Sequence, residues 1–169
     1  MTADMFRHVY DYHFAENRAI WDQHIVPLSQ EHFIQPLTYS VGSIRNHVVH
    51  MMDVDDAWFS DLRGDTFEGM NNPETLSDRD KIRTEWDTVE IKMREYLKTL
   101  TDDMLITQPF SGEDKDLYVW QALWQVANHG TDHRAQLLRL LHDCGADTKS
   151  QDYVFYAYDN PFKLSDSHS

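Results

Sequence analysis

The sequence predicts an all-α protein, an antiparallel four-helix bundle. Apolar residues recur at steps of three and four in four separate stretches, the period of a helix face. Glycine and proline clusters punctuate the chain between those stretches, and none of it reads firmly as a strand. Helices of this kind bury their apolar stripes against one another around one core, and side chains of facing helices then build any metal or cofactor site.

The first helix is expected near residues 3–22, with Phe6, Val9, Tyr10, His13, Phe14, Asn17 and Ile20 or Trp21 along one side. Pro27 and Pro36 break the pattern. A second helix, near 42–62, follows Ser40-Val-Gly-Ser43 and carries Ile44, Val48, Met51, Met52, Trp58, Phe59 and Leu62 before Gly64 ends it. Gly64 to Pro73 reads as a loop. The third helix, near 77–100, opens on a capping box formed by Ser77 and Asp80. Ile82, Trp86, Val89, Met93, Tyr96, Leu97 and Leu100 follow on its inner face, with charges opposite.

Thr101 to Asp116, with Leu105-Ile-Thr-Gln-Pro-Phe110 and the Gly112-Glu-Asp turn, suits an irregular loop better than a short strand pair. The fourth helix runs near 118–143 and is stopped by Gly145. Tyr153 to Tyr158 reads as a helical turn packed on the bundle, and Lys163 to Ser169 as a mobile polar tail beyond a single domain at 1–162. Phe14, Val48, Trp86, Val89, Met93, Val126 and Leu137 are the expected core.

At 169 residues, 41% apolar and 12% aromatic, the chain suits one packed domain. Twenty-nine acidic residues against fifteen Lys and Arg give a formal charge of −14. Such a surface repels phosphate backbones, which argues against nucleic acid and anionic membranes as partners. No apolar run is long enough to span a bilayer, and Met1 to Tyr10 lacks the blocks of a signal peptide. A soluble, cytoplasmic protein is expected. The single cysteine, Cys144, excludes an internal disulfide and reads as a small buried residue near a helix end.

Most of the chemistry gathers on the fourth helix. Ala122, Val126, His129, His133, Leu137 and Leu140 fall at steps of 4, 3, 4, 4 and 3, so both histidines lie on the stripe expected to be buried. Residues i and i+4 share a helix face, and two imidazoles there can reach one transition-metal ion. A buried ring that leaves a nitrogen unpaired loses roughly 1–3 kcal/mol. The pair is therefore either half a metal site or part of a hydrogen-bonded histidine cluster. Gly130 stands where the zinc-protease motif needs glutamate, and the chain contains no Glu-x-x-His of the di-iron kind. On the second helix, His47 and His50 are both placed to supply a third ligand, and spacing does not separate them.

The motifs resemble the DinB-like family of small damage-inducible helical proteins across most of the chain. Tyr12-His-Phe-Ala-Glu-Asn17 is similar to its first helix, and Ser43-Ile followed by His50, Asp55 and Trp58 to its second. Asn128-His-Gly-Thr-Asp-His-Arg-Ala-Gln136 is similar to its fourth-helix signature, and Gly145 with Asp152-Tyr153 to its ending. The resemblance implies one divalent ion, zinc or nickel, on His50, His129 and His133, with His47 as a neighbour. Three imidazoles would leave an open position, with Asp55, Asp132 and Gln136 as candidate supporting groups. It further implies a homodimer and a metal-dependent transferase that activates a low-molecular-weight thiol toward a small-molecule substrate. The alternatives are a non-catalytic metal-binding stress-response protein and a dimeric interaction module.

Overall fold

Each long helix begins at a residue whose side chain, or whose neighbour's, satisfies a free backbone group. In the computed structural model, which describes residues 1–163, α1 spans Ala3–Ile20, α2 Gln30–Ile34, α3 Ile44–Arg63 and α4 Arg79–Thr99. They are followed by α5 at Asp102–Leu105, α6 at Val119–Asp143 and α7 at Tyr153–Asp159. No strand occurs among the described residues. Thr2, Ser43 and Asp78 accept hydrogen bonds from the amides of Met5, Asn46 and Lys81. At α6, Gln121 reaches back to accept from the Tyr118 amide at 2.9 Å. Such caps stabilise a helix by about 1 kcal/mol each.

Three boundaries differ from the sequence reading. The third long helix starts at Arg79 with Asp78 as its cap, in place of a Ser77–Asp80 box. A carboxylate at Asp78 satisfies the same orphan amides and also complements the positive end of the helix dipole. α1 passes without interruption into one π-helical turn, Trp21–Ile25, so the helical run ends later than expected. α2 lies between the two prolines, where only a break was expected. The segment after α4 holds two short helical turns, Asp102–Leu105 and Gly112–Asp114, within an otherwise irregular loop. α3 ends at Gly64, whose φ of 72° is a left-handed conformation that favours glycine.

The four long helices form a ring in which α1 packs on α4, α4 on α3, α3 on α6 and α6 on α1. The expected core is present: Phe14, Val48, Trp86, Val89, Met93, Val126 and Leu137 are all buried. Aromatic edges hold its centre, with Tyr10 against Phe59 at 5.3 Å, Phe59 against Tyr96 at 5.7 Å and Trp21 against Trp86 at 6.2 Å between ring centroids. The loop after α3 is tied back by Asp53, which accepts from the Asn71 amide at 2.8 Å and its side chain at 2.6 Å. α7 rests on α1 through Tyr153 and Tyr156, which meet the rings of His8 and Tyr12. Of the tail expected to be mobile, residues 164–169 lie outside the described residues. Among the described residues, no helix is long and apolar enough to cross a membrane.

Candidate metal centre

Packing of α3 on α6 brings His50 beside the i, i+4 pair His129 and His133. Each of the three imidazoles offers a nitrogen, and these donor atoms lie within 4.8 Å of one another, a set able to hold a metal ion. The Nε2 atoms of His50 and His129 stand 3.2 Å apart. Two nitrogens on a tetrahedral zinc, at 2.0–2.1 Å each, would be separated by about 3.3 Å, so the pair needs little movement to share an ion. The ring centroids of His133 lie 4.7 Å from His50 and 4.3 Å from His129.

Burial within the cluster is uneven. His133 is buried, but His129, read from periodicity as equally buried, is half-buried, as is His50. The set therefore closes on the His133 side and opens to solvent on the other. The Nδ1 atoms of His129 and His133 are buried without a hydrogen-bond partner. Burial is the main cause that pushes His50, His129 and His133 below the ordinary imidazole range, His133 to about 4, and the neighbouring imidazoles add to the shift. At neutral pH all three offer lone pairs, the form a metal requires.

His47 is fully buried and belongs to the wall behind His133. Its Nδ1–H donates to the Ser43 carbonyl at 3.0 Å, which leaves the Nε2 lone pair facing inward without a partner. The two rings are 6.0 Å apart, edge to face.

The other expected supporting residues separate. Asp55 is buried and lies 3.3 Å from Nε2 of His13 on α1, and its negative charge opposes the downward shifts of His50 and His129. Asp132 is exposed and accepts from Gln136 at 2.9 Å, while Gln136 also meets Ser40. Neither makes a recorded hydrogen bond to the three histidines, although the Asp132 charge is felt by His129 and His133. Cys144 is half-buried at the far end of α6, its thiol pushed up chiefly by burial.

Beneath the histidines runs a buried polar chain, of which periodicity placed only His13 and Asn17 on an inner face. Arg134 has no exposed surface; its Nη1 donates to His13 Nδ1 and to Asn17 Oδ1, both at 3.1 Å, and its Nε to Gln151 at 2.7 Å. Because Arg134 can only donate, His13 Nδ1 accepts, which leaves its Nε2–H for Asp55 at 3.3 Å, with the Asn17 side-chain amide 3.1 Å from the same nitrogen. The guanidinium and the carboxylate thus compensate each other across the core through one imidazole that spans three helices. Gly130 was the available signal: glycine inside a helix is unfavourable, and a β-carbon there would stand 2.5 Å from His13 Cε1.

Bundle and cluster together define a helical-bundle protein with a three-imidazole set able to hold a metal ion. The chain matches the model of the DinB family over residues 1–163 and belongs to that family. No curated protein matches it. Seven of the residues behind the resemblance fall into two groups in space, His50, His129 and His133 at the donor set, and His13, Asn17, Asp55 and Arg134 in the chain beneath it.

Proposed function

We propose that this protein holds one divalent ion, zinc or nickel, on His50, His129 and His133, and that it is a metal-dependent transferase for a low-molecular-weight thiol and an electrophilic small molecule. The observation that carries the reading is the convergence of three imidazoles from two helices, two of their nitrogens already at the spacing of a shared ion. Bound there, the ion would lower the pKa of an incoming thiol and keep its sulfur reactive at neutral pH. The chain supplies the rest. Depressed proton affinity keeps the three rings neutral, and burial of His133 fixes the closed side of the set. His50 and His129 are half-buried, so a thiol would approach from their side. Asp55 places negative charge behind the cluster, which offsets part of an ion's charge.

Pairing of two bundles belongs to the same proposal and rests on the family. A reducing cytoplasm suits a chain whose one cysteine forms no internal disulfide. The test is elemental analysis of the purified protein, followed by a screen of small thiols against alkylating acceptors with product detected by mass spectrometry. Conversion should vanish on chelation and return with added zinc or nickel. Stoichiometric metal with no thiol-dependent conversion would leave a metal-binding protein without turnover; absence of metal binding would refute the proposal altogether.

A further inference from the structure

A cavity of about 850 Å³ lies between α1, α6 and the segment leading into α7, and none of His50, His129 and His133 lines it. That volume is within the range of sites that enclose a drug-sized molecule, roughly 300–1,000 Å³. One wall is already fixed. Gln151 is held by Arg134 and by the Thr131 carbonyl, at 2.7 and 3.1 Å, and the Tyr12 hydroxyl donates to the Gln151 carbonyl. Thr131 and Gln151 line the cavity together with Tyr12, Trp124 and Tyr153.

The lining is aromatic and one-signed. Trp124 keeps 55% of its surface exposed and Tyr153 43%, large apolar areas left uncovered beside a concavity. No Lys or Arg lines the cavity, whereas Asp152 does; the nearest cation is the buried Arg134, behind the Tyr12 ring at 5.4 Å from its centroid. A formal charge of −14 on the whole chain extends that field. An anion entering here meets repulsion from Asp152; a cation meets that carboxylate beside the exposed aromatic rings of Trp124 and Tyr153.

We propose that this cavity is a second binding site, separate from the histidine centre, for an organic ammonium carrying a flat apolar body. The ammonium pairs with Asp152, and the body stacks against Trp124 and Tyr153. The site does not depend on the proposed transferase activity.

The test uses the metal-loaded full chain and three probes of one shape: tryptamine, a cation at neutral pH; tryptophol, neutral; and indole-3-acetate, an anion. Binding is read by calorimetry and by the Trp124 indole N–H resonance. Tryptamine should bind at least tenfold tighter than indole-3-acetate, with tryptophol between them. Trp124→Ala should weaken tryptamine about tenfold, and Asp152→Asn should remove most of the difference between the charged probes. Both side chains are exposed, and a dispersed NMR spectrum verifies folding of each variant. His133→Ala should leave tryptamine affinity unchanged, which separates this site from the metal centre. Equal affinities for the three probes, or no binding at millimolar concentration, would overturn the proposal. So would a dimer that Trp124→Ala dissociates, because a second copy would then be the occupant.

Discussion

The imidazole of His13 fills the space in which a side chain on Gly130 would begin. A β-carbon built on Gly130 stands 2.5 Å from Cε1 and 2.8 Å from Nδ1 of His13, and 3.1 Å from Nη1 of Arg134. The two helices approach this closely because one residue has no side chain, and the approach lets Arg134 reach His13.

Gly130→Ala is therefore expected to destabilise the protein, although alanine is the better helix former by about 1 kcal/mol. His13 cannot swing away freely, since Asp55 and Arg134 hold both its nitrogens. The net loss should be about 1–3 kcal/mol, the cost of breaking buried hydrogen bonds. Urea unfolding measures it; a stabilised variant would show that the contact is relieved without cost.

Arg134→Met removes a fully buried cation and strands the buried Asp55 carboxylate. A loss of about 3–5 kcal/mol is expected, as for other buried pairs broken on one side. Adding Asp55→Asn should recover part of it. Arg134→Lys should not rescue the single variant, because an ammonium cannot serve His13, Asn17 and Gln151 in their fixed directions. Additive losses in the double variant would show that the two residues are not coupled.

Single alanine replacements of His50, His129 and His133 should each reduce bound zinc or nickel to a small fraction of one equivalent after dialysis. His47→Ala should retain most of the metal with weakened affinity, because His47 backs His133 and stands outside the close set. Metal lost in His47→Ala and kept in His50→Ala would reverse the assignment.

The metal-free protein should lose stability on mild acidification. Burial holds His50, His129 and His133 below the usual 6.5, with His133 near about 4. Between those values the unfolded chain binds protons that the folded chain does not, so stability rises with pH across the window. These groups contribute fully above about pH 7, and their contribution declines as pH falls toward about 4. Urea midpoints of chelated protein at several pH values will show the slope, and His133→Gln should flatten it. A midpoint unaffected between neutrality and pH 4.5 would contradict the depressed proton affinities.

The long helices were legible because their signals are local. A stripe at helical period records which side of a helix avoids water, whatever it packs against, and so the inner faces of α1, α3, α4 and α6 and the seven expected core residues could be read directly. The His129–His133 pair was legible for the same reason, as both residues sit on one helix. α2 was not, because five residues hold too little periodicity to distinguish helix from turn.

Relations between helices had to come from the fold. Residues three apart on one helix, such as His47 and His50, point in directions near enough that spacing cannot rank them; the family motif did. In space, the rotation of α3 against α6 turns His50 toward His129 and sends His47 into the wall behind His133. Asp55, which follows His50 in the same motif, reaches across the bundle to His13. Gly130 likewise looks like a mere gap in a helical pattern until α1 lies against it. Periodicity records exposure along one element, whereas a contact depends on how two elements are rotated and shifted, and that is settled when all the helices bury their stripes at once.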